Sequence, residues 1–148
     1  MTDHGYSETP LIRKLGIKPD HVVALLGAPD GFEDVLGPLP SGVTVHRSPD
    51  GKPPAGAEPF DIVLFFTTTR AELEELIGLV RPLMAPACGL WIAWPKKTSG
   101  RPTELTDNVV REIALPTGLV DNKICAIDAT WSGLRLVIRR ELRSARPQ

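Results

Sequence analysis

The sequence predicts an α/β protein: a three-layer sandwich around a mostly parallel sheet that ends in an antiparallel C-terminal hairpin. Three short apolar runs carry this reading: HVVALL (His21–Leu26), FDIVLFF (Phe60–Phe66) and GLWIAW (Gly89–Trp94). They show almost no alternation, as strands covered on both faces should. An amphipathic helix lies between the last two runs, which is the grammar of a βαβ unit. No helix fits between the final two strand segments, so those should pair antiparallel. The result is a Rossmann-like arrangement whose loops converge on one edge of the sheet.

The elements follow in order. Residues 1–8 read as a flexible polar arm, 9–140 as a single domain, and 141–148 as a charged tail. Thr9 is placed as an N-cap and Pro10 as the first helical residue, with Leu11, Ile12 and Leu15 inward and Gly16 as the stop. A helix so short must dock on the first strand. The turn Gly27–Gly31 leads to a brief helix over Phe32–Leu36, ended by Gly37, and then to a weak strand at Val43–Val45. RSPDGKPPAGAEP (Arg47–Pro59) reads as a surface excursion, since its prolines remove ladder donors.

Thr69 and Glu72 stand in capping-box spacing, and Leu73, Leu76, Ile77, Val80 and Met84 recur on one helical face. Pro86 and Gly89 bracket the entry to the third long strand. A second helix is expected over Glu104–Leu115, with Leu105, Val109, Val110 and Ile113 inward and Pro116 and Gly118 ending it. Val120–Ile127 and Leu134–Arg139 form the hairpin around Asp128–Gly133.

Composition excludes some functions. The formal net charge is -1, so no basic field draws the protein to nucleic acid or an anionic membrane. No run approaches membrane-spanning length. Cys88 and Cys125 form no CxxC pair, and a cytoplasmic protein with two free thiols is expected. The histidines do not cluster, so no metal site is expected, and the residues alone assign no cofactor.

Five loops should meet at the ligand edge: Gly27–Gly31, His46-Arg47, Thr67–Arg70, Trp94–Arg101 and Asp128–Gly133. Gly27, Asp30 and Gly31 suit close backbone approach to a ligand, or a turn that the fold requires. Thr67, Thr69 and Arg70 could present helix amides to an anion, or cap the helix and satisfy backbone. Trp94, Lys96, Lys97, Ser99 and Arg101 combine an indole, three cations and a hydroxyl, enough to hold a phosphate, a carboxylate, a nucleic-acid backbone or a partner; a solvated face is the plainer alternative. Ser99 has no base or orienter to make it a nucleophile. Asp128 and Trp131 could orient and stack a ligand, or close the hairpin turn and the core. Asp121-Asn122-Lys123 falls at the opposite edge, where turn formation or a local ion pair is expected and not catalysis.

The strings KLGIKPDHVVALLGAPDGF (Lys14–Phe32), GLWIAWPKKTSG (Gly89–Gly100), VVREIALPTGLVDNKICAID (Val109–Asp128) and TWSGLRLVIRR (Thr130–Arg140) resemble an uncharacterised bacterial family of small proteins, a domain of unknown function. At the level of fold, the leading helix, the Gly27–Gly31 turn and the C-terminal strand pair resemble a truncated class I S-adenosylmethionine-dependent methyltransferase. That resemblance implies a cofactor lying over Gly27–Gly31, with Trp94 and Trp131 shaping the acceptor side. The chain departs from the pattern in three places. Its glycine spacing is not the usual one. His46-Arg47 stands where an acid should grip the ribose hydroxyls. The third strand and its helix have no equivalent before Phe60.

The residues therefore point first to a non-catalytic module that binds a small anion, a nucleotide or a protein partner. The alternative is a methyltransferase-like enzyme that uses S-adenosylmethionine.

Overall fold

In the computed structural model, residues 10–53 and 59–143 are described; the N-terminal arm, Thr9 and the end of the tail lie outside them. The chain runs α1 (Leu11–Leu15), β1 (Val22–Leu26), α2 (Phe32–Leu36), β2 (Thr44–Ser48), β3 (Phe60–Phe66), α3 (Arg70–Val80), β4 (Met84–Pro95), α4 (Asp107–Ala114), β5 (Leu119–Ala126), β6 (Trp131–Ile138) and α5 (Arg140–Arg143). The strands form one sheet in the order β2-β1-β3-β4-β6-β5. The pairs among β2, β1, β3 and β4 are parallel, and β6 is antiparallel to both β4 and β5. A mostly parallel sheet ending in an antiparallel hairpin is thus observed.

Alternation along the strands feeds two cores. In β3, Val63 and Phe65 face α3 and α4, while Ile62, Leu64 and Phe66 face α1 and α2. Phe60 joins the α3 side out of phase, because the β3–β4 register shifts between Phe60 and Ile62. α3 begins where the Thr69 hydroxyl accepts the Glu72 N–H, and it buries Leu73, Leu76, Ile77 and Val80. α4 is capped in the same way by Thr106, whose hydroxyl accepts the Val109 N–H.

The short α1 is held from outside. Leu15 is buried beneath it, and the fully buried Trp91 indole N–H donates to the Leu15 carbonyl at 3.1 Å. Gly16 ends the helix in the left-handed region, as expected.

Several boundaries differ from expectation, each for a local reason. Pro10, not Thr9, occupies the N-cap of α1 and offers no side-chain cap. β2 runs to Ser48 instead of stopping at Val45; as an edge strand with no fully buried residue, it lacks an apolar run to mark it. β4 begins at Met84 and carries Pro86 within it, in the stretch where its register with β3 slips, so the missing N–H breaks no regular ladder. α4 starts at Asp107 instead of Glu104, because Thr106 provides the cap. The start of the charged tail forms the helical turn α5.

Candidate functional site

At the ends of the parallel strands, the edge of the sheet holds two clefts of opposite charge. The first lies where β1 and β3 diverge toward helices on opposite faces, the switch point at which open α/β sheets place ligands. It encloses about 310 Å³ and is lined by Gly27, the turn Pro49–Lys52, the end of β3 at Phe65 and Phe66, and one side of α3. Asp50, Glu72 and Glu75 line it against a single cation, Lys52. Its field favours a cationic or hydroxyl-bearing ligand and opposes an anion.

Gly27 sits where a side chain would be strained. Its φ is +68°, and an added Cβ would lie 3.0 Å from the Phe66 carbonyl oxygen and 3.8 Å from the Gly51 Cα. Its N–H donates to the Ser48 carbonyl at 2.8 Å, which continues the β1–β2 ladder past the strand end. The chain then folds over Gly27 through Pro49-Asp50-Gly51, and the Asp50 carboxylate accepts the Lys52 N–H at 3.0 Å. Asp50 is the first acid beyond β2. Sequence reasoning missed it because β2 was expected to end before His46.

His46 and Arg47 correspondingly lie inside β2, not in a loop. Arg47 reaches back to the first turn, donating to the carbonyls of Ala28 and Pro29 at 3.1 and 3.0 Å and pairing with Glu33 at 3.1 Å. This locks the Gly27–Gly31 turn. Asp30 is exposed, and Gly31 starts α2 with φ +77° and open space beside it; neither lines the first cleft.

At the N-terminus of α3 several donors are already taken. The buried Thr67 hydroxyl donates to Glu72, Thr69 caps the helix, and the Arg70 N–H donates to Glu104 at 2.9 Å. The Arg70 guanidinium extends to Glu112 at 3.6 Å. The helix end thus carries two carboxylates of this same chain.

The second cleft encloses about 680 Å³ beside the end of β4. It brings together Trp94, Lys96, Lys97 and Arg101 of the expected set, with Leu105 and Ile124. Trp94 is 7% exposed and Ile124 53%. A 3-10 turn over Lys97–Ser99 shapes the loop, and the Lys96 N–H donates to the Thr130 carbonyl at 2.8 Å. Ser99 serves that turn: its hydroxyl donates to the Lys96 carbonyl at 2.7 Å and accepts the Arg101 N–H. Asp128 closes the hairpin turn by accepting the N–H groups of Thr130 and Trp131. Trp131 is buried edge-on against Phe66, with ring centroids 4.9 Å apart, and the Arg101 guanidinium lies 5.9 Å from the indole centroid. At the opposite edge Asp121 pairs with Arg111 at 3.0 Å, the second of the two roles expected there. Among the described residues no group of three or more acidic, histidine or cysteine side chains could hold a metal, and no helix is long and apolar enough to cross a membrane.

This architecture has many structural relatives. Over 88% of the chain it matches the ribosomal protein L11 methylase from Lactobacillus delbrueckii subsp. bulgaricus, with a TM-score of 0.62, 11% identity and 75% of that protein covered. Its fold resembles that of class I S-adenosylmethionine-dependent methyltransferases. A second such structure, the SAM dependent methyltransferase from Aquifex aeolicus, matches at TM-score 0.61 and 16% identity over 86% of this chain and 88% of that one. The DhpI–SAH complex matches at TM-score 0.56 and 14% identity, over 88% and 83% of the two chains. At such identities the likeness is one of fold. No family model matches the chain, and no curated protein matches it.

Proposed function

We propose that the protein binds S-adenosylmethionine in the Gly27 cleft and is a methyltransferase-like enzyme. One observation carries the reading: in a chain of methyltransferase fold, the cleft at the switch point pairs Asp50, the first acid past the second strand, with a glycine whose positive φ and close approach to the Phe66 carbonyl would strain any side chain. Asp50 stands where the fold's ribose-gripping acid is expected, two residues beyond Ser48. The charges agree, because Asp50, Glu72 and Glu75 favour ribose hydroxyls and a sulfonium over an anion. Asp50 would accept the ribose hydroxyls, Gly27 would let the backbone approach, and Phe65 would supply an apolar wall.

Bound there, the cofactor would supply an electrophilic methyl group to an acceptor lone pair, leaving S-adenosylhomocysteine while the acceptor's proton goes to water. The chain's part is alignment and exclusion of water, which needs no strong acid or base.

Calorimetric titration with S-adenosylhomocysteine tests the reading. One saturable site is expected, and Asp50→Ala should weaken it roughly ten- to a hundredfold, the range for hydrogen bonds to a charged group. No saturable heat at millimolar ligand, or an unchanged affinity in the folded variant, would overturn it.

A further inference from the structure

We infer that the second cleft takes a small amphipathic anion, with an apolar or aromatic body and one carboxylate, phosphate or sulfonate group. Where the cofactor reading above holds, on which this part rests, that molecule is the methyl acceptor. Three positive side chains, Lys96, Lys97 and Arg101, line the cleft, and none forms an ion pair with another described residue. The single acid in the lining, Asp107, is engaged by Arg111 at 3.2 Å. Three cations against one carboxylate that is already engaged give the concavity a net positive lining, which raises the local concentration of anions. Arg101 is steadied by the Trp131 ring, so its planar donor fork loses less freedom on binding.

The rest of the lining sets the body of the ligand. Trp94, Leu105 and Ile124 contribute the apolar part of the lining, and Ile124 is 53% exposed there. The volume of about 680 Å³ lies in the range for metabolite-sized molecules. Nucleic acid fits less well: three cations in one concave site make no backbone-tracking stripe, and the protein's net charge is -1. The Gly27 cleft on the same sheet edge, with its acidic lining, disfavours the same anion, so the two clefts suit ligands of opposite charge.

The test uses two probes that differ in one group: anilinonaphthalene sulfonate and its neutral parent, N-phenyl-naphthylamine. NMR titration of the full chain should give saturable sulfonate-induced shifts at the Trp94 indole and the Ile124 methyls. The neutral probe should bind roughly tenfold more weakly or worse, as loss of a charge-assisted contact requires. Lys97→Glu/Arg101→Glu should abolish the sulfonate shifts while S-adenosylhomocysteine binds the variant and the native protein alike. Equal affinity for the two probes, undiminished sulfonate binding in the double variant, or shifts confined elsewhere would overturn the inference. Sulfonate binding without any S-adenosylhomocysteine binding would defeat the cofactor reading and leave the anion cleft standing; the reverse pattern would defeat the anion cleft alone.

Discussion

Cys88 shows how a single side chain ties the fold to pH. It is buried in β4, and burial, reinforced by the nearby Asp61 carboxylate and opposed by Arg135, pushes its thiol from 9.0 up to about 12. A raised native value means that the protonated thiol is favoured by folding. The contribution is therefore complete below about pH 9 and is lost as pH rises toward 12. Comparing native protein with Cys88→Ala by urea unfolding should show the native protein losing about 1.4 kcal/mol per pH unit relative to the variant across that window. Parallel profiles would contradict this. Cys125, half-buried and also raised by burial but opposed by Lys14 and Lys123, should be the faster of the two thiols to alkylate.

Asp50 marks the limit of what single residues reveal in the sequence. Its type was plain, but its role depends on where β2 ends, and the edge strand carries no apolar signal there. Ser99 and Asp128 were legible as polar loop residues. Only the hydrogen bonds show that both are occupied with local turns.

Among the elements, the buried βαβ strands and the capped helix α3 were readable because their signals are local: uninterrupted apolar runs, a threonine cap and helical periodicity. The dependence of α1 on Trp91 was not, since the two are 76 residues apart in sequence. Five helical residues cannot support themselves in water, so docking contacts hold the helix: the indole bond, the Leu11, Ile12 and Leu15 packing, and the Lys123 ammonium donating to the Lys14 carbonyl. Trp91→Phe keeps most of the apolar volume but leaves the buried Leu15 carbonyl without its donor. It should destabilise the protein by about 1–3 kcal/mol. Amide exchange should accelerate first at Gly16 and Ile17, whose N–H groups close the helix onto Ile12. Unchanged stability and unchanged exchange would mean that α1 is held by packing alone.

For the molecule as a whole, the organising feature is one sheet edge with two clefts of opposite sign. The convergence of loops was legible from strand direction. The division into two groups was not, because it depends on where helices α3 and α4 stand and on which charges pair among themselves: Arg47 with Glu33, Arg70 with Glu112, and Arg111 with Asp107 and Asp121. Those pairings leave a net acidic lining around Gly27 and a net basic one beside Trp94. A donor with a positive sulfur and an anionic acceptor would each find the matching side. The most direct test is an amide NMR titration of the full chain with S-adenosylhomocysteine. Saturable shifts clustered at Gly27, Asp50, Gly51 and Phe66, with Lys97 and Arg101 unmoved, are the expected result. Shifts centred on the Lys96–Arg101 loop, or none at millimolar ligand, would contradict it.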